Sequence, residues 1–341
     1  MMSYRNKVML LSSALAVLLL VYAGGLLFAP ERNAARAEAG KLLAGKAADV
    51  ASFTIGGAGG SPSMDFEKGA EGWALMEEGE ALPVQAGKID AFLAALSGVS
   101  RLSPRSEGQG DLAGFGLGAD AGVRITAKAA SGKALADFVL GGLGPTGTEA
   151  YVRLRGAGPV YAATSDFASY VREGRAGWLD LRIFATPIRL EDVESVRMSA
   201  RLELGAGSAA GVVAAGGAAA GGGASSRAPV IAEWSASRKD GGWAGKTGAY
   251  DAVAVESTLR SIVNLSGQDI VAMPPADAFA NPQGRIELGL GTGGTRAIEI
   301  GRDAGNGTFY LRAQGSSFVY LVSAYALMNA VRPESALASK K

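Results

Sequence analysis

A chain of 341 residues, 48% hydrophobic and 19% charged, has room for about two domains and enough apolar side chains to give each a core. Its 33 basic and 32 acidic residues leave a net charge of +1, which supplies no broad basic field and argues against a nucleic-acid partner. Cysteine and histidine are both absent, which excludes disulfides, thiolate nucleophiles, a lipidated Cys, the Ser-His-Asp triad and His- or Cys-ligated metals.

Arg5 and Lys7 stand ahead of Val8–Phe28, an uncharged apolar run of 21 residues. As a helix this run would reach about 30 Å, the thickness of a bilayer core. The positive flank keeps residues 1–7 in the cytoplasm. The expectation is therefore a single-pass anchor at 8–28 in the cytoplasmic (inner) membrane, embedded in its lipid. A linker at 29–47 then leads to an extracytoplasmic, periplasmic body. Cleavage at Ala35-Arg36-Ala37 is the competing reading, but the apolar run exceeds the about 7–15 residues of a signal peptide and favours an anchor.

The rest of the chain runs twice through one order of signals. Asp49-Val50-Ala51-Ser52-Phe53-Thr54-Ile55 and Asp192-Val193-Glu194-Ser195-Val196-Arg197-Met198 each open as a strand. Gly72-Trp73 and Gly242-Trp243 follow. Then comes a helix, Lys88–Leu96 in one copy and Val255–Val263 in the other. Ile89, Phe92, Leu93 and Leu96 have the spacing of a core-facing stripe. A Gly-rich linker leads to short strands at Val123–Ala127, Ala134–Leu140, Thr148–Leu154 and Val160–Ala162. Their counterparts are Arg285–Leu290, Thr295–Ile300, Thr308–Ala313 and Phe318–Tyr320. Each copy ends in an apolar helix. Tyr151 and Tyr310 stand 159 residues apart, as do Tyr161 and Tyr320, and one offset across a gapped pattern argues for duplication. The predicted class is α+β: a tandem duplication of an antiparallel-sheet-plus-helices domain behind one transmembrane helix. The predicted repeats are 48–184 and 185–332, with a tail at 333–341. Gly205–Ser226, a Gly/Ala/Ser tract without periodicity, reads as a loop inserted in the second repeat.

Motifs for chemistry are sparse. Gly142-Leu143-Gly144-Pro145-Thr146-Gly147 and Gly289-Leu290-Gly291-Thr292-Gly293-Gly294 match a dinucleotide-binding pattern in letters, yet both lead into strands rather than helices and read as hairpin turns. Asp303-Ala304-Gly305-Asn306-Gly307 lacks the alternation and distal Glu of a calcium loop. No Lys has a Ser three residues before it, so a Ser-x-x-Lys nucleophile is missing too. No catalytic residue, cofactor or metal site is predicted. Large aromatics are the remaining candidates for a ligand or interface position. Trp73 and Trp243 recur with the fold and suit the core. Trp178, in the stretch between the copies, and Trp234 are kept as candidates.

The anchor at 8–28, Asp49-Val50, Trp73 before Pro83-Val84, the helix at 88–98 and Phe115-Gly116-Leu117-Gly118 form a recognisable series. It continues through Val139-Leu140-Gly141, Tyr151-Val152-Arg153, Val160-Tyr161 and Leu181-Arg182-Ile183-Phe184. This layout resembles the bacterial domain of unknown function 4340 family, membrane-anchored repeat proteins that accompany gliding-type ABC transporters. The chain departs from that pattern at Phe184, where a charged residue is usual, and in its Gly/Ala insertion. The resemblance brings no catalytic residues. It implies a non-enzymatic accessory or scaffold subunit, with an ABC transporter permease or related envelope protein as partner. The alternatives are a module that binds a cell-envelope glycan and, last, a carboxylate-dependent hydrolase.

Overall fold

The structure is a computed structural model that describes residues 15–19, 22, 40–57, 61–99, 101–106, 112–155, 159–203, 229–291 and 293–338. The tract at 205–226 lies outside the described residues. So does the run at 8–28, apart from residues 15–19 and 22, which are helical. No described helix is long and apolar enough to cross a membrane.

The first repeat contains β1 (Val50–Ile55), β2 (Met64–Gly69), β3 (Gly72–Glu77), β4 (Glu80–Pro83), α1 (Ala86–Gly98), β5 (Ser103–Ser106), β6 (Val123–Ala129), β7 (Ala134–Leu143), β8 (Glu149–Leu154), β9 (Val160–Thr164) and α2 (Ala168–Arg172). The second contains β10 (Val193–Leu202), β11 (Val230–Lys239), β12 (Gly242–Gly245), β13 (Gly248–Tyr250), α3 (Ala252–Val263), β14 (Asp269–Val271), β15 (Gly284–Leu290), β16 (Thr295–Gly305), β17 (Thr308–Ala313), β18 (Val319–Ser323) and α4 (Ala324–Ala330). Both sheets have nine strands. Their orders are β4-β3-β2-β1-β6-β7-β8-β9-β5 and β13-β12-β11-β10-β15-β16-β17-β18-β14. Replacing each strand of the first order by its counterpart nine places later reproduces the second. The architecture is thus α+β, mostly antiparallel sheet, and it fits a duplicated domain.

Local chemistry explains the hairpins. Glu78-Gly79, Asp240-Gly241 and Asn306-Gly307 have positive φ at both residues, 53° and 88°, 52° and 79°, and 50° and 73°. That is the turn whose twist matches two antiparallel strands, and Asn, Asp and Gly adopt it at least cost. Both dinucleotide-like stretches are also hairpin connections, between β7 and β8 and between β15 and β16.

Each helix buries the stripe that its sequence announces. In α1 the buried residues are Ile89, Phe92, Leu93 and Leu96; in α3 they are Val255, Thr258, Leu259 and Ile262. Asp251 caps α3 by accepting hydrogen bonds from the amides of Val253 and Ala254. Thr258 is the polar member of its stripe, and its hydroxyl donates to the Ala254 carbonyl at 2.9 Å.

Each repeat also closes one sheet edge with its own final segment. The Gln85 amide donates to Trp178 O at 2.9 Å and the Asp180 amide to Pro83 O at 2.9 Å, with Val84 facing Leu179. In the second repeat the Asp251 amide donates to Leu337 O at 2.9 Å and Tyr250 faces Ala338. The duplication therefore extends past α2 and α4 into these single bridges.

The chain divides into two compact units, residues 1–72 with 86–172 and residues 73–85 with 173–341. Within the second unit, Arg175 forms ion pairs with Glu77 on β3 and with Asp269 on β14, and donates to the Ile270 carbonyl at 3.0 Å. This arginine ties the β3–β4 hairpin to the unit where it groups.

Candidate functional site

The two candidate tryptophans are core residues. Trp178 is 0% exposed, because the segment that carries it is added to the β4 edge. Trp234 is 6% exposed; its indole N–H donates to Arg332 O at 2.8 Å, and its ring meets Tyr250 edge-on at 6.2 Å. Neither ring offers a face for a ligand to stack on. Trp243 is buried under the Arg238 guanidinium, 5.1 Å from the ring centre.

The short motifs of the first repeat meet at one structural junction. The Gly142 amide donates to Phe115 O at 2.8 Å, and a side chain on Gly141 would lie 2.4 Å from that same oxygen. Phe115 packs edge-on against Tyr151 at 4.8 Å. Phe115-Gly116, Gly141 and Tyr151 thus fix a loop onto β7. The second repeat repeats the junction with other residues. The Arg302 amide donates to Ala278 O at 2.9 Å, and a side chain on Gly301 would meet that oxygen at 2.3 Å. Spacing alone does not reveal this second junction, since Ala278-Phe279 does not match Phe115-Gly116 position for position.

Charged residues on the sheets are mostly paired across strands. Asp137 accepts from Arg124 at 3.1 and 3.0 Å and from Arg155 at 3.0 Å. Burial alone would raise the Asp137 carboxyl, but the two guanidiniums outweigh it and hold the group below its ordinary value. Arg312 on β17 donates to Glu299 on β16 at 2.7 Å, while Arg285 and Glu287 pair along β15 itself at 2.7 Å. Such ladders suit a solvated sheet face. No cluster of three or more acidic side chains that could hold a metal occurs among the described residues.

One pocket combines apolar walls with polar groups that converge on it. It lies in the second unit, has a volume of about 360 Å³, and is bordered by Pro83, Asp180, residues 182–186, the turn from Ala313 to Phe318, and Arg296 and Tyr320. The connecting segment is held in place by backbone pairing. The Gly267 amide donates to Leu181 O at 2.8 Å and the Ile183 amide to Leu265 O at 3.3 Å. On the other side, Phe318 N–H donates to the Ser316 hydroxyl at 3.1 Å, which shapes the turn. Arg182 donates to Asp180 from Nε at 2.8 Å and from Nη2 at 2.5 Å. That hydrogen bonding lowers the Asp180 carboxyl against the opposing effect of burial. Tyr320 is 4% exposed, and burial, with Asp180 nearby, pushes its phenol up to about 12.

The family comparison matches residues 73–280, more than half of the chain, to the family described as Domain of unknown function (DUF4340). The chain belongs to this family. The matched span begins at the Trp73 of β3 and ends just after β14, so it takes in parts of both repeats. No curated protein and no solved structure matches the chain.

Proposed function

We propose that this DUF4340 protein is a non-enzymatic, single-pass membrane-anchored subunit. Its duplicated body stands in the periplasm as an accessory or scaffold for a gliding-type ABC transporter. The observation that carries this reading is the uncharged run Val8–Phe28 behind Arg5 and Lys7, placed ahead of two copies of one sheet. Where that run is described, Leu15, Val17, Leu18, Leu19 and Tyr22 are exposed apolar side chains on helical residues, which suits a lipid environment. The transporter link is drawn from the family resemblance.

The glycan-binding alternative draws no support from Trp178 or Trp234, since both rings are buried. The hydrolase alternative draws none from Asp137 or Asp180, which are both engaged by arginines.

Affinity purification of the full chain from membranes in mild detergent, read by mass spectrometry, tests the proposal. Co-purification of a permease and its ATPase in a constant ratio is expected. Recovery of the chain alone, after cross-linking in intact cells, would remove the transporter role. A fluorescent reporter that matures only in the cytoplasm, fused after Lys341, should stay dark.

A further inference from the structure

An accessory role leaves the pocket beside Tyr320 without a purpose, and its lining specifies an occupant. Ile183, Phe184 and Phe318 give it apolar surface. The Tyr320 hydroxyl makes no hydrogen bond with any described residue, although the side chain is almost fully buried. The ring is enclosed, but its O–H is not sealed in the core and can donate into the pocket. Asp180 and Arg182 neutralise each other. Arg296, at the rim, has no ion-pair partner among the described residues. The pocket therefore has one uncompensated positive charge, one free donor and an apolar wall. Its volume of about 360 Å³ lies within the usual range for small-molecule sites, about 300–1,000 Å³.

We propose that this pocket binds a small organic monoanion, a carboxylate bearing an apolar or aromatic group. Arg296 and the Tyr320 hydroxyl hold the carboxylate, while Ile183, Phe184 and Phe318 receive the apolar part. One unpaired guanidinium beside the Asp180 carboxylate balances a single negative charge and leaves a dianionic phosphate undercompensated. The phenol stays protonated through neutral pH, so it remains a donor for the bound oxygen. Tyr161 occupies the matching position of the first repeat and is only half-buried. The segment 180–186, which walls the pocket, occurs once in the chain.

The test uses the full chain in mild detergent, titrated with N-acetyl-phenylalaninate by calorimetry and followed by saturation-transfer NMR. Saturable binding of this carboxylate is expected, with the aromatic protons receiving most saturation. Its neutral amide and phenyl phosphate should each bind at least about tenfold more weakly, because the charge-assisted hydrogen bond is lost or mismatched. Arg296→Gln should weaken the carboxylate about tenfold, and Tyr320→Phe several-fold, by the same reasoning. Arg105→Gln, on the first sheet, should change nothing. No saturable binding up to roughly 10 mM would overturn the proposal. So would equal affinity for the amide, preference for the phosphate, or unchanged affinity in both variants. The ligand comparison uses the unmutated protein, so it decides even if a variant misfolds. It is also independent of whether a transporter partner is found.

Discussion

The two repeats build the same sheet from differently sized side chains. In the first, Phe53 lies between Phe66 and Ala127 on its neighbouring strands; in the second, Val196 lies between Ala236 and Leu288. Phe53 stacks on Phe66 with ring centres 4.4 Å apart, and Phe92 of α1 closes on it at 5.4 Å. The stripe position of Phe92 is taken in α3 by Thr258. Bulk has moved sideways, from β2 and the helix in one repeat to β15 in the other. Cores tolerate such exchange when total volume and pattern are kept. The strand order is therefore held by which positions are apolar and by the turns, and much less by which apolar residue stands there.

The largest effect that would sharpen this contrast is at the matched helix position. Phe92→Ala should cost about 3–5 kcal/mol, since it removes a buried ring and its aromatic neighbours. Thr258→Ala should cost under about 1 kcal/mol, because the hydroxyl and its bonded carbonyl belong to one helix turn. Urea denaturation with hydrogen exchange resolved by repeat measures both. Equal losses would show that the two cores are not filled independently.

The next effect belongs to the second repeat alone. The folded-state value of Tyr320 is about 12, above the ordinary 10 of a tyrosine, so the unfolded chain releases this proton first as pH rises. The neutral phenol's contribution is intact below pH about 10 and is lost as the pH climbs toward about 12, a swing of about 2–3 kcal/mol. Stability measured across that range should fall less steeply in Tyr320→Phe than in the unmutated chain. Parallel pH profiles would refute the assignment.

A smaller effect is expected at Asp251, which caps α3 through two backbone amides. Asp251→Ala should lower stability by about 1 kcal/mol, with faster exchange confined to the first turn of α3. The smallest concerns the insertion. Leu202 and Val230 are paired neighbours on β10 and β11, so the strands already meet where the tract leaves and returns. Replacing 205–226 with a short turn should shift stability by less than about 1 kcal/mol, since closure entropy changes slowly with loop length. A large loss of melting temperature would mean that the tract contributes contacts of its own.

The strands β6–β9 and β15–β18 were legible as short apolar runs between turn residues, repeated in the same order in both copies, and α1 by its regular stripe. The Gly-Trp pairs marked the repeat, but Trp73 and Trp243 also sit on the strands β3 and β12, which periodicity alone did not disclose. β5 was hidden for a physical reason. Ser103-Pro104-Arg105-Ser106 has no apolar residue and becomes a strand only because Ser103 and Pro104 line up with Ala162 and Tyr161 of β9. Partners 59 and 57 residues away leave no local trace. Trp178 looked available because it lies between the repeats, and burial followed from an edge pairing that no pattern announces. Tyr320 was visible only as a repeat marker. Its place in a pocket depends on residues 180–186 folding against Leu265–Gly267, a long-range pairing.

The closing segments Trp178–Asp180 and Leu337–Ala338 carry a consequence for the order of events during synthesis. Each sheet receives its edge cover last, from the C-terminal end of its own repeat. As the chain emerges, β4 keeps an open row of backbone donors and acceptors until Leu179 appears, and β13 waits for Ala338. An uncovered edge invites pairing with a neighbouring chain. The first repeat is thereby sealed before the strands of the second are made, and each edge stays open only while 96 and 88 residues are added, from Pro83 to Leu179 and from Tyr250 to Ala338.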